Sequence, residues 1–270
     1  MRDQWLDAWD VGDAYDRYMG RWSRRVADEF ITWLGAGAGL RWLDVGCGTG
    51  ALTEAVADRC QPRLILGVDR SESFVAAAAT AAPAPAGFAV ADALSLPVPD
   101  RACDVAVSGL ALNFFPDPAV AVAEAARAVK PGGTVAAYVW DYTQGMAFLR
   151  FFWDTAVTVD PAAAPLDEGR RFSACRRDRL HTLWTRAGLT EVGIDAIDVP
   201  TSFAGFDEFW VPFLGGQGPA PGYVATLTPT TRDLLRDTLS RTAPTRPDGS
   251  IPFTARAWAI RGKRTEDRPT

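Results

Sequence analysis

Residues 41–60 predict a β-strand, a glycine-rich loop and an α-helix in direct succession, and this unit constrains the fold more than any other stretch. The strand is RWLDV at 41–45, and Gly46, Gly48 and Gly50 follow it within the loop. Glycine lacks the Cβ atom that would keep a ligand away from the main chain, and the next helix presents free N–H groups in its first turn. Since parallel sheets bind ligands at the carboxyl ends of their strands, this loop is predicted to be a ligand site.

Strand-like and helix-like segments alternate from residue 23 to about residue 140. Apolar strands are predicted at 41–45, 64–69, 88–91, 104–109 and 134–140, and helices at 23–34, 50–59, 72–81 and 118–129. The last of these helices is well marked, because Asp117 stands at its N-cap, Pro118 at its first position and Lys130-Pro131-Gly132-Gly133 at its end. Near-continuous apolar strands joined by helices are typical of a parallel sheet covered on both faces.

The pattern changes after residue 145, where helices are predicted at 146–158, 176–187 and 230–241 and strands at 191–199 and 251–260. No clear crossover helix precedes the last strand, so we expect it to pair antiparallel. The segment 200–228 is rich in glycine, proline and aromatic residues, which favours a mobile, apolar lid suited to a flat or greasy substrate. The polar tail at 261–270 is expected to be frayed.

Charge and cysteine patterns exclude several classes of partner and site. The formal net charge is −5, and basic residues are scattered among acids, so no nucleic-acid partner is expected. The four cysteines show no C-x-x-C spacing and the chain has 1 histidine, so neither a disulfide framework nor a metal site is predicted. The amino terminus lacks the apolar run of a signal peptide, and no stretch of about 18 apolar residues occurs. We therefore expect a cytoplasmic protein without stable membrane insertion.

Two aspartates indicate which ligand the loop takes. Asp69 ends the second predicted strand, 19 residues after Gly50, where its carboxylate can accept hydrogen bonds from both hydroxyls of an adenosine ribose. The sequence of the glycine loop also fits a loosened G-x-G-x-x-A pattern that ends at Ala51, so an NAD(P)- or FAD-binding oxidoreductase is the alternative. Asp44 favours a ligand that carries an ammonium or sulfonium group, because ionised carboxylates are seldom buried without a partner.

Four ordered motifs together are specific: LDVGCGTG (43–50), GVDRS (67–71), ADALSLPVPD (91–100) and AARAVKPGGTVAAYVW (125–140). They resemble the class I S-adenosylmethionine-dependent methyltransferases, and within these the small-molecule branch of ubiquinone and menaquinone biosynthesis (methyltransferase type 11). The resemblance implies a Rossmann-like, seven-stranded, mostly parallel sheet with an antiparallel last strand, helices on both faces and a helical cap. It also implies methyl transfer from S-adenosyl-L-methionine to a small, apolar or aromatic metabolite. A non-catalytic S-adenosylmethionine-binding protein stays open as a further alternative.

The resemblance also implies a domain division and a set of cofactor residues. It suggests cap helices at 1–35, a cofactor-binding core at 36–145 and a C-terminal half at 146–270, with the substrate lid around 200–250. Residues implied in cofactor binding are Asp44, Gly46 and Gly48 for the methionine portion, Asp69 for the ribose, Arg70, Ser71, Asp92 and Ala93 for the adenine, Ser108, Gly109 and Leu110 along the methionine portion, and Tyr15 and Arg21 from an amino-terminal helix.

Methyl transfer from a sulfonium is a direct displacement in which the cofactor supplies the activated carbon, so few dedicated catalytic groups are needed. Asp141 and Tyr142 follow the fifth predicted strand, where either could take a proton from a hydroxyl acceptor. His181 is the single histidine and is predicted to lie on the outer side of a helix, with a catalytic base as the alternative. A small-molecule substrate is expected, and both a monomer and a homodimer stay open.

Overall fold

A computed structural model describes residues 20–81, 84–216 and 218–265 of the chain, and for Arg21 and Ser173 it describes the backbone alone. Of the predicted cofactor residues, Tyr15 therefore lies outside the described residues, and Arg21 is placed only as the first residue of a helix. None of the described helices is long and apolar enough to cross a lipid bilayer.

Within the described residues, seven strands form one sheet in the order β3-β2-β1-β4-β5-β7-β6. The strands are β1 (Arg41–Val45), β2 (Leu64–Asp69), β3 (Ala86–Val90), β4 (Cys103–Gly109), β5 (Val129–Trp140), β6 (Leu189–Pro200) and β7 (Thr254–Arg264). β1 pairs parallel with both β2 and β4, β2 with β3, and β4 with β5. The Asp141 N–H donates to the Arg256 carbonyl, whereas the Arg264 guanidinium reaches the Val129 carbonyl, so β7 runs opposite to β5. The predicted mostly parallel sheet with an antiparallel last strand is confirmed.

Helices connect these strands. They are α1 (Arg21–Leu34), α2 (Ala51–Cys60), α3 (Glu72–Ala81), α4 (Pro118–Ala128), α5 (Ala147–Val159), α6 (Glu168–Arg171), α7 (Arg177–Arg186), α8 (Phe206–Trp210), α9 (Pro219–Thr226) and α10 (Pro229–Thr242), with 3-10 turns at Leu112–Phe114, Pro161–Leu166, Ser173–Cys175 and Val211–Gly215. Asp117 caps α4 as predicted, because its carboxylate accepts the N–H groups of Ala119 at 3.0 Å and Val120 at 3.2 Å.

Strand β5 differs from its prediction, because it begins at Val129 instead of residue 134. The helix before it ends at Ala128, and Val129 already pairs with Cys103 of β4. The segment predicted to terminate the helix, 130–133, lies at the register shift before Thr134 pairs with Val105. A Cβ atom on Gly133 would stand 2.6 Å from the carbonyl oxygen of Asp104. Glycine thus lets the two strands approach closely at a point where their register shifts.

The prediction that the tail frays from residue 261 is wrong for residues 261–264, which belong to β7. The Lys263 ammonium donates to the Thr134 hydroxyl at 2.9 Å, and the Arg264 guanidinium donates to the Ala126 carbonyl at 2.9 Å. These basic side chains lie beside carbonyl and hydroxyl acceptors of the neighbouring elements, so the strand continues through a polar sequence.

By its internal contacts the described chain divides into two compact units. The sheet unit contains 23–139, 174–197 and 257–265, and the aromatic unit contains 20–22, 140–173 and 198–256. The domain division expected from the sequence has other boundaries and stays a prediction.

Aromatic rings pack on one another inside the aromatic unit. Phe152 and Phe213 stack with ring centroids 4.4 Å apart, and Phe203 meets Phe209 edge-on at 5.3 Å. Phe209 is 1% exposed, so the rings of the segment expected to form a lid contribute mainly to the core of this unit. That segment folds into α8, a 3-10 turn and α9, which the sequence pattern did not predict.

A buried polar cluster lies within the same unit. The Glu168 carboxyl is 3% exposed and accepts the indole N–H of Trp153. Arg150 forms a two-pronged ion pair with Asp167, whose carboxylate also accepts the Gly169 N–H at 2.8 Å. Burial raises the pKa of Glu168 to about 7, because the charged form loses its hydration there.

All four cysteines, at positions 47, 60, 103 and 175, are free and buried. Burial raises the thiol pKa of Cys47, Cys60 and Cys103 above the ordinary value, and the nearby Asp44 and Asp69 carboxylates raise that of Cys47 further. These thiols therefore stay protonated in the folded chain.

Candidate functional site

The glycine loop between β1 and α2 is held against the end of β2. Gly46 and Cys47 both donate their N–H groups to the Val68 carbonyl, at 2.7 and 3.0 Å. Gly46, Gly48 and Gly50 take left-handed φ angles of 74°, 53° and 97°, which residues with a Cβ rarely adopt. The loop therefore has the form that the sequence predicts, with its backbone at the carboxyl end of the parallel strands.

The three glycines have different surroundings. A Cβ atom on Gly46 would stand 2.6 Å from the Cβ of Ala111, and one on Gly50 would stand 3.3 Å from the Cβ of Ala78. A Cβ on Gly48 would meet no described residue within 4 Å. Gly46 and Gly50 are thus needed for packing, whereas Gly48 leaves its backbone open to a ligand.

Asp69, at the end of β2, lies directly beside the open glycine. One carboxylate oxygen, Oδ2, accepts the Gly48 N–H at 3.0 Å, and Oδ1 accepts the Ser71 N–H at 2.9 Å. An ionised carboxylate offers about four lone-pair positions, so each oxygen keeps a further acceptor position. The structure thus brings together the two residues on which the sequence argument for an adenosine ligand depends.

Asp44 lies beneath the loop with no exposed surface. Its Oδ2 atom accepts the hydroxyl of Thr53 on α2 at 2.7 Å, and its Oδ1 atom has no hydrogen-bond donor among the described residues. Burial raises the pKa of Asp44 to about 7, and the charge of Asp69 adds to the effect, while the Thr53 hydroxyl opposes it. Asp44 thus presents no exposed carboxylate surface to a ligand at the loop.

The predicted adenine residues follow the neighbouring ends of β2 and β3. Arg70 and Asp92 are exposed, and Ser71 and Ala93 are half-buried. The Asp92 carboxylate accepts the Leu94 N–H at 2.9 Å, which closes a tight turn after β3. Since β2 and β3 pair parallel, both groups of residues lie at the same edge of the sheet as Asp69.

The end of β4 contributes backbone in place of side chains. Leu110 has a left-handed φ of 57° and donates its N–H to the Tyr138 carbonyl at 2.8 Å. A Cβ on Gly109 would stand 2.6 Å from the Tyr138 hydroxyl oxygen. The Ser108 hydroxyl is buried, finds no hydrogen-bond partner in the described part of the chain, and lines a cavity of about 20 Å³ on the side of the sheet covered by α4. Ser108 and Gly109 can therefore meet a ligand through their main chain only.

The three predicted catalytic residues lie in different places. Asp141 and Tyr142 belong to the aromatic unit, where Asp141 accepts the Gln144 N–H at 3.2 Å and the Tyr142 ring lies 5.1 Å from that of Phe172. His181 is exposed on α7, in a surface groove also lined by Ile194 of β6. Because β6 is four positions from β1 in the sheet, and strands lie about 4.8 Å apart, His181 is remote from the glycine loop.

Sequence reasoning missed Thr53 and Phe115. Thr53 is the third residue of α2 and is fully buried, and Phe115 packs against Gly46 from the loop after β4. A threonine on the apolar face of an amphipathic helix is the signal that could have pointed to the first. No sequence pattern pointed to the second.

Comparison with known proteins identifies this region. Residues 43–137 match the family model described as a methyltransferase domain. These residues are a methyltransferase domain. The methyltransferase domain covers the strand, the loop and the Asp69 carboxylate described above, so the resemblance read from the four motifs is confirmed.

Relatives and solved structures agree with this domain. The demethylmenaquinone methyltransferase of Staphylococcus aureus is 35% identical over 117 residues, which is 42% of this chain and 47% of that protein. The chain thus spans about half the length of the curated relatives it matches. A methyltransferase structure from Bacillus halodurans is 16% identical, covers 88% of this chain and 98% of its own, and has a TM-score of 0.58. The phosphoethanolamine N-methyltransferase 2 of Haemonchus contortus with S-adenosyl-L-methionine is 15% identical over 94% of this chain and 60% of its own, with a TM-score of 0.56. These two structures support the fold.

Proposed function

We propose that the chain is a methyltransferase that transfers a methyl group from S-adenosylmethionine to a small, apolar or aromatic metabolite. The observation that carries the proposal is the pairing of Gly48 with Asp69: a backbone open to a ligand lies 3.0 Å from a carboxylate with acceptor positions to spare. A nucleoside ligand with a ribose diol needs such a carboxylate beside such a backbone.

Each element of the site then has a task. Asp69 would accept the two ribose hydroxyls, and Asp92 with the backbone of Ala93 would hold the adenine edge. The first turn of α2 supports the methionine carboxylate, because Gly50 provides no side-chain cap and the first N–H groups of a helix lack intrahelical acceptors. Asp44 beneath the loop supplies negative charge for the sulfonium and ammonium groups. Arg21 and Tyr15 stay predictions for this end of the cofactor.

Methyl transfer depends more on alignment of the acceptor with the methyl group than on dedicated catalytic side chains. A lone pair of the acceptor attacks the methyl carbon, and the carbon–sulfur bond breaks with its electron pair going to sulfur. The protein places the acceptor atom about 3–3.5 Å from the methyl group and in line with the leaving sulfur. Where the acceptor is a hydroxyl, Asp141 or Tyr142 would take its proton.

The substrate class rests on two supports. The curated relative with 35% identity is named for its action on demethylmenaquinone, an apolar quinone. The part of the chain outside the methyltransferase domain is rich in aromatic side chains, which suits a flat or greasy acceptor. A substrate lid around 200–250, a small-molecule partner and a cytoplasmic location belong to the same proposal, and either a monomer or a homodimer is compatible with it.

Calorimetry with S-adenosylmethionine, S-adenosylhomocysteine and NADH tests the cofactor. Binding of the first two is expected, and tight binding of NADH alone would replace the proposal by the oxidoreductase alternative. Turnover is then measured by mass spectrometry on a panel of phenols, quinones, amines and acids. Methylated product from an apolar or aromatic member supports the proposal, whereas cofactor binding with no methylated product across the panel favours the non-catalytic binder.

A further inference from the structure

A buried threonine is the one hydroxyl neighbour of the acid beneath the glycine loop. Thr53 and Asp44 are both 0% exposed, and they come from different elements, α2 and β1. The Thr53 Oγ1 atom donates to Asp44 Oδ2 at 2.7 Å. Because the Asp44 carboxyl has no exposed surface, this hydrogen bond helps to fix its orientation.

The surroundings of Asp44 contain no compensating cation in the described part of the site. Asp69 on β2 carries a charge that disfavours the negative charge of Asp44, and the Cys47 thiol in the loop stays protonated and supplies no positive charge. Glu54, the next residue on α2, is paired with Arg24 at 3.9 Å. A buried carboxylate whose donors are the neutral Thr53 hydroxyl and backbone N–H, and whose other oxygen is unpartnered among the described residues, is costly, so a cation bound nearby is the natural counter-charge.

We propose that Thr53 is a positioning residue of the cofactor site. Its hydroxyl stabilises the ionised Asp44 carboxyl, and binding of the cationic cofactor at the loop releases the Asp44 proton to solvent. This inference rests on the proposed function. It adds that cofactor affinity depends on pH through the buried Asp44 carboxyl, and that Thr53, which lies outside the glycine motif, sets this dependence.

Two variants separate the hydroxyl from the shape of the side chain. Thr53→Val keeps the branched volume and removes the hydrogen bond, whereas Thr53→Ser keeps the hydroxyl. Because hydrogen bonds to charged groups are among the stronger ones, the valine variant is expected to bind S-adenosylmethionine about tenfold or more weakly at pH 7. Its affinity recovers at higher pH, and the serine variant stays close to wild type.

A truncated ligand provides the matched control. 5′-Methylthioadenosine carries the adenosine portion but neither the sulfonium nor the amino acid, so its affinity is expected to change by less than about twofold in Thr53→Val. Equal losses for both ligands would mean that the valine distorts the loop, and would overturn the positioning role. Wild-type affinity and an unshifted pH profile in Thr53→Val would overturn it as well.

Proton counting on the unaltered chain keeps the test independent of any Thr53 variant. Calorimetry of S-adenosylmethionine binding at pH 7, in two buffers of different ionisation enthalpy, is expected to show release of a fraction of a proton that Asp44→Asn abolishes. No release from the wild type overturns the inference while leaving the proposed function intact. A wild-type chain that binds no S-adenosylmethionine at any pH refutes both.

Discussion

Replacing Gly48 by alanine tests whether the cofactor passes over the open part of the loop. The added methyl group would point into space where no described residue lies within 4 Å, so it clashes with none of them. Its effect on stability comes only from the left-handed φ of 53°, which a side chain disfavours. Its effect on binding comes from the space it takes from a ligand.

The two effects have different sizes. A residue with a Cβ in the left-handed region costs about 1–2 kcal/mol. For a chain of this size the melting temperature falls by roughly 2–4 °C for each kcal/mol. A methyl group between the cofactor and the backbone is expected to weaken binding at least tenfold, which corresponds to about 1.4 kcal/mol.

Gly188 is the matched control, because its φ is 76° and a Cβ there also has no neighbour within 4 Å among the residues that the structure describes. It lies in the turn between α7 and β6, away from the loop. Thermal unfolding is expected to give similar losses of stability for Gly48→Ala and Gly188→Ala, while calorimetry gives weaker S-adenosylmethionine binding for Gly48→Ala alone. Equal affinities in the two variants would refute the position assigned to the cofactor.

Three further predictions follow from the same geometry. Asp69→Ala is expected to lower cofactor affinity at least about tenfold by calorimetry, because it removes the ribose acceptor; an unchanged dissociation constant would show that the ribose is held elsewhere. Gly46→Ala is expected to destabilise the fold by about 2 kcal/mol or more in urea unfolding, because its Cβ would stand 2.6 Å from that of Ala111. Burial raises the pKa of Glu168 from 4.5 to about 7, so the folded chain holds a proton that the unfolded chain releases. The stability from this proton is complete below about pH 4.5, and about 3 kcal/mol of it is lost as the pH rises through 7. Glu168→Gln is therefore expected to remove this loss from the free energy of unfolding, measured in urea between pH 5 and 8.

The part of the fold that could be predicted is the part governed by local patterns. Near-continuous apolar strands and a capped helix at Asp117 placed the elements between residues 41 and 128 within a few positions. The early start of β5 could not be predicted, since proline and two glycines at 131–133 are typical of a turn. This segment belongs to the strand because β5 lies alongside β4. Helix α8 was missed because it has only 5 residues, and α9 because two prolines and a glycine lie within it. Ring packing such as that of Phe209 on Phe203 stabilises α8.

The candidate site divides in the same way. Gly48 and Asp69 could be predicted to lie close together, because each ends a neighbouring parallel strand and the ends of such strands meet at one edge. The partner of Asp44 could not be predicted from the motif, since Thr53 reaches it only through the turn of the chain into α2. The burial of Asp44 was inferred correctly from its apolar neighbours, but its lack of any exposed surface depends on packing that spacing does not reveal.

The four buried thiols can report local unfolding of the chain without any added label site. Cys47 lies within the glycine loop, whereas Cys103 begins a central strand of the sheet. A thiol is alkylated as its thiolate, so a reagent such as iodoacetamide reacts with either cysteine only when its surroundings come apart. The labelling rate of Cys47 therefore measures how often the glycine loop opens, and that of Cys103 measures how often the sheet opens. The ratio of the two rates separates local opening of the loop from global unfolding.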